Sequence, residues 1–598
     1  MKVIDIQESR IIRNAFYIQF VLLVFSELTH MIGNIVDGVI IGRCLGVDSI
    51  AAFGIVSPMM VVFSLAGTIV ATGSRNCFTR LIGEGKIKEA QNIFSMSFAV
   101  SVVAAVVFML AILIFATPIA MTLGASGNAA NLLPKARDYL IGIAFGLPAL
   151  NAMRVLSMYM PIDNDRQLPV SSSLVLTICD VVFDLIVAFV IHGDTFEIGL
   201  ATSISQYAAV AVLFLHFGKK NIILRLVPQG RLPWRELGGI IWQGFPIGVC
   251  RVGFTLRVAF MNRILAATTN ASAAIAAYSV YQQADELLCV LTIGMADTVA
   301  VIAGILLGEE DRPRMKRLLL TSVQATLIIT LEVSVLFFFI APYFTSLYIS
   351  TGNMAFTLAT RAVQCYVTGM PLYGLSIIYF NYFQGIGESR LSSVAGFLSE
   401  AGVLMLCAWM MSFWFHENAV WYSFPVTQIV MYIYYAVLIR IRSRKNATYG
   451  MSLWDRVLLL PKSFDVPDYE RVDISVTSMD EVILISEKVE SFCNKNSIDK
   501  KTAYHLALAI EEMAGNIIKH GFIHDNRKHS IDIRIIKKED GLILRIRDDC
   551  YIFDPVNQLS LFSDEDMTYH IGLRMIFKAS KEVKYTSILK LNNLLVRV

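Results

Sequence analysis

The sequence predicts an α-helical polytopic membrane protein of twelve spans in two six-helix bundles, followed by a C-terminal α/β two-layer sandwich. Of the 598 residues, 55% are hydrophobic and 17% are charged, whereas about 25% of the residues of a soluble domain are charged. Apolar runs of the ~20 residues that a spanning helix needs recur twelve times before Arg444. After Arg444 the apolar runs give way to alternating helix-like and strand-like patterns.

The spans are predicted at 14–40, 51–73, 92–117, 136–158, 168–192, 197–216, 237–266, 277–306, 316–341, 361–384, 391–414 and 418–441. The predicted domains are a first bundle at 1–217, a basic linker at 218–236, a second bundle at 237–445, a further linker at 446–470 and a soluble domain at 471–598.

Lysines and arginines collect in one set of loops between these spans. They are Arg75, Arg80, Lys86, Lys88, Arg154, Arg166, Lys219, Lys220, Arg225, Arg231, Arg235, Arg312, Arg314, Lys316 and Arg317. We call the end of the bundle that these loops form the basic face. Basic loops stay in the cytoplasm, so both termini are predicted there, with membrane lipid as a partner. A net charge of only +3 argues against nucleic acid.

An internal repeat relates the two bundles at an offset of about 225 residues. Leu81-Ile82-Gly83-Glu84 matches Leu306-Leu307-Gly308-Glu309, and Ile50–Val56 resembles Ile275–Tyr281. The matched segments are six predicted spans apart. Because an even number of crossings returns the chain to the same side of the membrane, the two copies run parallel. Transporter substrates bind at the interface of such repeats, and a central cavity is therefore predicted there.

The first span carries a carboxylate, Asp37, with Asn34 one helical turn earlier on the same face. A charge at membrane depth costs at least ~3 kcal/mol and usually marks an ion or proton path. Asp37 is therefore a candidate ion-coupling residue, with Asn34 as a neighbouring ligand. The alternative is a solvated residue at the helix end.

A second acidic pair, Asp180 and Asp184, is spaced four residues apart in the fifth predicted span. Two carboxylates this close in a low dielectric do not both ionise cheaply, so at least one can bind a proton. A Na⁺ held by both carboxylates and Asn34 is the competing use. In a third interpretation, one of the pair faces an aqueous opening.

Several segments of residues 10–445 resemble the multidrug and toxic compound extrusion (MATE) family. They are Asn34–Asp37, Leu45-Gly46, Ile50–Ala52, Leu81–Gly85, Gly199–Thr202 and Ser205–Tyr207. The resemblance implies a V-shaped antiporter that exports organic cations and other amphipathic compounds against H⁺ or Na⁺. It also implies ion-coupling roles for Asp37 and Asp184, while Asp180 stands where the family usually has asparagine. The alternative within the superfamily is a lipid-linked oligosaccharide flippase, which would favour a strongly basic cavity.

In the soluble domain, helices are predicted at 479–496, 500–521 and 571–581, and strands at 530–537, 541–548 and 592–598. Glu512, Asn516 and His520 recur every four residues and share a helix face. A carboxylate and an amide one turn apart can hold a water and a Mg²⁺ beside phosphates. An ordinary exposed polar face is the alternative.

With this helix, Arg547–Pro555 and the segment opening at Gly572 resemble the GHKL ATPase fold, specifically the serine-kinase domains of anti-sigma factors. The resemblance implies ATP and Mg²⁺ as cofactors, Glu512 as general base, Asn516 as Mg²⁺ ligand and Asp548 as adenine contact. It places His520 in the same nucleotide-binding segment and Gly572 in the phosphate loop. Both resemblances imply the inner membrane of a bacterium.

Four departures from the GHKL pattern remove glycines: Cys550, Ile552, His570 and Lys590. Because glycine lets the backbone approach phosphate closely, we expect weakened nucleotide binding, or binding without turnover. The preferred function is an ion-coupled exporter whose soluble domain senses nucleotide or docks a cytoplasmic regulatory protein. A membrane-tethered serine kinase is a further alternative, and no GxxxxGK[ST] loop for direct ATP-driven pumping is present.

Overall fold

The computed structural model describes residues 11–44, 47–123, 132–219, 222–227, 234–352, 354–523, 529–538, 541–551, 554–555 and 571–598. For part of these helices, including most of residues 30–64, it describes the backbone alone. Each of the twelve predicted spans corresponds to a helical segment. Among the described residues, eight helices are long and apolar enough to cross a membrane, or nine if one bent pair counts as a single span.

The first bundle consists of α1 Ile11–Cys44, α2 Val47–Gly83, α3 Ile87–Leu123, α4 Leu133–Ala144, α5 Leu147–Tyr159, α6 Gln167–Ile186 and α7 Thr195–Phe214. Helices α4 and α5 form the bent pair, at 48°. Pro148 in the first turn of α5 lacks the N–H that would continue α4. A π-helical segment, Val187–Ile191, extends α6.

The second bundle consists of α8 Leu237–Ala266, α9 Ala271–Gly308, α10 Arg312–Ser346, α11 Met354–Gly385, α12 Ser389–Phe397, α13 Val403–Phe415 and α14 Asn418–Lys445. Helices α12 and α13 join through a second π-helical segment, Leu398–Gly402. Such segments are rare and frequently mark functional sites.

The two bundles meet along α2 at the basic face. A Cβ added at Gly83 would lie 2.1 Å from the carbonyl oxygen of Ile305, so glycine is required for this approach. Gly308, the repeat partner of Gly83, meets the carbonyl oxygen of Arg80 at the same distance. Arg75 of α2 also pairs with Asp297 of α9 at 3.4 Å. The described contacts thus join the bundles at the basic face.

The C-terminal domain begins after a short linker helix, α15 Leu453–Val457. Its elements are β1 Arg471–Val476, α16 Met479–Lys495, α17 Lys500–Asn516, β2 Ile531–Lys538, β3 Gly541–Asp548, α18 Ile571–Ala579, β4 Glu582–Ile588 and β5 Leu591–Arg597. The sheet is antiparallel in the order β1-β2-β3-β5-β4. The predicted two-layer sandwich is confirmed, but the prediction missed β1 and β4.

Alternation along the strands gives the sheet two different faces. In β2 and β3 the side chains of Ile531, Ile533, Leu544 and Ile546 belong to a core shared with the helices. The intervening residues are charged and lie on the opposite face. That charged face is also buried, because it packs against the membrane domain.

Candidate ion-coupling and nucleotide sites

The acidic pair of the fifth span lies inside the first bundle. Asp180 and Asp184 occupy successive turns of α6, and both are buried, Asp184 completely. Neither carboxylate oxygen of Asp184 has a hydrogen-bond partner among the described residues. A carboxyl group in this position is stable only if it is protonated or if a cation compensates its negative charge.

Helix α6 packs directly against α1, which carries Asn34 and Asp37. The hydroxyl of Thr177 donates to the carbonyl oxygen of Thr29 at 3.4 Å. The side chains of Asn34 and Asp37 lie outside the described part of the structure, but their backbone is helical. Both helices begin at the basic face. At 1.5 Å per residue, Asp37 lies about 12 Å beyond Thr29, and Asp184 lies about 10.5 Å beyond Thr177. The two residues thus lie at similar depths along the two packed helices.

A second buried charge cluster lies in the other bundle, and the sequence did not reveal it. Arg257 of α8 donates to Asp285 at 2.9 Å and to Glu400 at 3.2 Å. The hydroxyl of Tyr373 donates to the other oxygen of Glu400 at 2.8 Å. Glu400 belongs to the π-helical segment Leu398–Gly402.

The cluster sets one guanidinium against two carboxylates and therefore has an acidic excess. Asp285 and Glu400 look scattered in the sequence because 28 and 143 residues separate them from Arg257. The available signal was Arg257 itself, an arginine inside an apolar run, since intramembrane charges pair with one another.

In the C-terminal domain, α17 carries two of the three polar residues spaced by four. Glu512 and Asn516 are half-buried, and His520 is exposed in the π-helical turn Ile517–Gly521 that follows. Gly572 lies in the first turn of α18, and its surroundings, like the preceding segment 556–570, are outside the described residues. The structure thus positions the proposed Mg²⁺ ligand and general base but not the phosphate loop.

Asp548, at the end of β3, is buried and lies directly opposite Asn592 of the neighbouring strand β5. Its Oδ1 accepts from Asn592 Nδ2 at 2.8 Å and from the backbone N–H of Cys550 at 3.0 Å. Burial raises the pKa of Asp548 to about 6, against the opposing effect of these hydrogen bonds. A buried carboxylate, which accepts hydrogen bonds, fits recognition of an adenine amino group. Asn592, which orients this carboxylate, was not recognised in the sequence.

The structure describes two of the four residues that replace glycines of the GHKL pattern, Lys590 and Cys550. Lys590 has φ +57° and Leu589 φ +55°, so both occupy the left-handed region at the tip of the β4–β5 hairpin. Glycine is the usual residue there because it has no Cβ. At Gly521, an added Cβ would lie 3.0 Å from the Cβ of Cys550. The cysteine therefore fills space beside the end of the nucleotide-site helix.

Comparison with known families agrees with both parts of this architecture. The MatE family model matches residues 23–186 and 246–410, one segment in each bundle. A histidine kinase-like ATPase domain model matches residues 477–597.

Similar proteins include the multidrug export protein MepA of Staphylococcus haemolyticus (strain JCSC1435). It is 21% identical over 440 residues, which cover 72% of this chain and 95% of MepA. A probable multidrug resistance protein NorM of Xanthomonas axonopodis pv. citri (strain 306) is 26% identical over 310 residues, 49% of this chain and 64% of that protein.

Among solved structures, the Vibrio cholerae MATE transporter VcmN has a TM-score of 0.67 at 16% identity and covers 74% of this chain and 99% of its own. An outward-facing MATE transporter of the MOP superfamily has a TM-score of 0.66 at 18% identity, with 72% and 96% covered. These structures share the fold of the two bundles. The chain belongs to the MatE family and carries a histidine kinase-like ATPase domain at its C-terminal end.

Proposed function

We propose that this protein is an antiporter that exports organic cations or other amphipathic compounds against H⁺ or Na⁺. Membership of the MatE family supports this function, as do relatives named for multidrug export and multidrug resistance. The basic loops support a position in the bacterial cytoplasmic membrane with both termini inside.

The observation that carries the proposal is the carboxylate of Asp184. It is fully buried in α6, without a hydrogen-bond partner among described residues, at a depth similar to that of Asp37 in α1. Such a group is stable when it holds a proton or a cation. We assign ion coupling to Asn34, Asp37, Asp180 and Asp184. A shared proton needs only the carboxylates, whereas Na⁺ would use carboxylate and amide oxygens together.

The flippase alternative is less favoured. A lipid-linked oligosaccharide carries phosphate, and its transport would favour a basic cavity. The described cluster in the second bundle instead has two carboxylates, Asp285 and Glu400, for one guanidinium. It favours cations over anions.

We assign to the C-terminal domain a regulatory site for an adenine nucleotide. Asp548 would contact the adenine, Asn516 would hold Mg²⁺, and Glu512 stands in the position of a general base, with His520 and Gly572 in the surrounding segments. When bound, ATP with Mg²⁺ would supply a transferable phosphoryl group. The loss of glycines at Cys550 and Lys590 supports weak binding without efficient turnover. A cytoplasmic regulatory protein is the proposed partner of this domain.

The test is efflux of a cationic dye in inverted membrane vesicles under an imposed pH or Na⁺ gradient. We expect one gradient to drive transport by the native chain and Asp37→Asn to abolish it, which also identifies the coupling ion. The mutant Glu332→Gln is the matched control, because that carboxylate lies on an exposed side of a spanning helix, α10. Equal transport by Asp37→Asn and the native chain would overturn the assignment.

A further inference from the structure

The charged face of the C-terminal sheet is a docking surface. Asp532 and Arg534 of β2 lie opposite Arg547 and Arg545 of β3, all on the face away from the helices. Sheet faces that carry such residues are normally solvated, yet all four residues here are buried. The membrane domain covers them.

The first contact, which we call the loop contact, is to the α9–α10 loop of the second bundle. Glu309 pairs with Arg545 at 2.8 Å and also with Arg547. Asp311 pairs with Arg534 at 2.8 Å and with Arg314 of its own helix. Both acids are buried, so these pairs are sheltered from salt.

The electrostatics of the loop contact keep both acids charged. Burial alone would raise the pKa of Asp311, but the guanidinium groups of Arg534 and Arg314 hold it well below the ordinary value. Arg545 and Arg547 likewise lower the pKa of Glu309 in spite of its burial. Neutralising Glu309 would remove the carboxylate that pairs with both Arg545 and Arg547, two buried arginines. Arg534, in contrast, also pairs with Asp465 at 2.6 Å, and Arg314 also pairs with Asp532 at 3.3 Å.

The second contact, which we call the hairpin contact, is to the α5–α6 loop of the first bundle. The tip of the β4–β5 hairpin enters this loop, where the backbone N–H of Leu589 donates to the carbonyl oxygen of Ile162 at 3.2 Å. Asn164 donates to the carbonyl oxygen of Ser587 at 2.7 Å and accepts from the backbone N–H of Lys590.

The hairpin contact explains an unfavourable local conformation. Two-residue hairpin turns with positive φ prefer Asn-Gly or Gly-Gly, whereas this one has Leu589 and Lys590. Leu589 is buried, and with Ile12 of the first bundle and Ile302 of the second it lines a cavity at the junction. Contacts of the tip with the membrane domain thus compensate for the unfavourable backbone conformation of Leu589 and Lys590.

The two contacts hold different bundles at the place where the bundles touch. The first residue of the loop contact, Glu309, directly follows Gly308. Gly308 packs against the backbone around Gly83 of the first bundle, and we call this line of contact between the bundles the seam. Arg545 reaches this seam as well, donating to the carbonyl oxygen of Gly83 at 3.4 Å. Opening a passage at the basic face would require the bundles to separate here.

We infer that the C-terminal domain is a clamp that holds the two bundles closed at the basic face. One arm is the loop contact to the second bundle, and the other is the hairpin contact to the first. This inference rests on the proposed transport function, because only alternating access requires that face to open. In each cycle at least one arm must release, so docking of this domain limits how often the cytoplasmic side opens.

The clamp is tested on the full chain in lipid nanodiscs, with spin labels at Lys88→Cys and Arg390→Cys in a background whose native cysteines are replaced. Both positions are exposed, one on each bundle beside the basic face. Electron–electron distance measurements then report opening directly, without substrate or ion gradient. Failure of the clamp is therefore distinguishable from failure of the transport proposal.

Glu309→Gln weakens the loop contact by removing the carboxylate that pairs with Arg545 and Arg547. Asn164→Gly weakens the hairpin contact by removing its side-chain hydrogen bonds, and glycine tolerates the φ of +63° at this position. We expect each variant to raise the population with a long inter-label distance by about tenfold, a typical coupling between sites. Lys538→Gln is the matched control, because it removes only the more exposed pair with Glu310. Two independent variants guard against misfolding of one of them. Unchanged distances in both arm variants, or the same shift in the control, would overturn the clamp.

Discussion

Arg547 and Asp548 are consecutive residues of β3 whose side chains leave opposite faces of the sheet. Arg547 pairs with Glu309 of the second bundle, and Asp548 accepts from Asn592 beside the proposed adenine site. One peptide unit therefore separates the nucleotide contact from an arm of the clamp. Because coupling between two binding events is reciprocal, nucleotide binding and docking should affect each other.

The first prediction concerns this coupling. Arg547→Gln removes one guanidinium from Glu309 and should change the affinity of the full chain for a fluorescent ATP analogue by about fivefold or more. Lys538→Gln, at the rim of the same interface, should leave the affinity unchanged. Equal affinities in the native chain and Arg547→Gln would show that β3 does not connect the two sites.

The second prediction is a pH dependence of nucleotide binding. With a pKa of about 6 in the folded domain, Asp548 becomes protonated below that pH and accepts less strongly. Affinity for the ATP analogue should therefore fall by about tenfold from pH 7 to pH 5, one factor of ten per unit below the pKa. Asp548→Asn should bind weakly and lose the dependence. A flat profile in the native chain would contradict this role.

The third prediction concerns the effect of the same carboxylate on stability. Its folded pKa of about 6 lies above the ordinary value of 3.8, so the folded domain binds the proton more tightly. The contribution of Asp548 to stability is full below about pH 4 and is lost as pH rises through about 6. Hydrogen exchange of the β3 amides should show this loss in the native chain but not in Asp548→Asn. An identical pH profile in both would exclude Asp548 as its source.

The sequence predicted the membrane helices well because lipid allows few structures. Every spanning backbone must satisfy its own hydrogen bonds, so an apolar run of sufficient length becomes a helix. In the C-terminal domain, β1 and β4 were missed although both alternate polar and apolar residues, as in Arg471–Val476. Their charged positions resemble loop composition, and only pairing with neighbouring strands establishes them as strands.

The candidate sites could be predicted only where their residues lie close together in the sequence. Asp180 and Asp184 share one helix, and so do Glu512 and Asn516, so helical spacing predicts each pair. The cluster around Arg257 joins residues from α8, α9, α11 and the π-helical segment Leu398–Gly402, and the loop contact joins two domains. The alternation of charged and apolar residues in β3 predicts that Arg545 lies on a solvent-exposed face of the sheet. The sequence does not show that the membrane domain covers this face.

A fourth, independent prediction concerns Arg257. Its replacement by Leu leaves Asp285 and Glu400 buried without their cation, which should destabilise the protein by about 3–5 kcal/mol. Thermal unfolding in detergent should show a lower midpoint. Arg263→Gln, on the exposed side of the same helix, is the control and should unfold like the native chain. An unchanged midpoint in Arg257→Leu would indicate that the two carboxylates are already neutral.

A fifth prediction concerns the hairpin tip. Lys590→Gly relieves the left-handed conformation and should stabilise β4 and β5 against local opening by about 1 kcal/mol, measured by hydrogen exchange. Lys488→Gly, the same change at an exposed position in the interior of α16, should instead weaken its helix by about 1 kcal/mol. If Lys590→Gly lowered protection, the turn would not be strained.

The central claim is that a buried acidic site in the first bundle couples an ion gradient to export. Its most direct test is gradient-driven dye efflux from proteoliposomes containing purified Asp184→Asn, compared with the native chain and Glu332→Gln. We predict that Asp184→Asn gives only the leak of empty liposomes under either gradient, while Glu332→Gln transports at the native rate. Native-rate transport by Asp184→Asn would contradict the account.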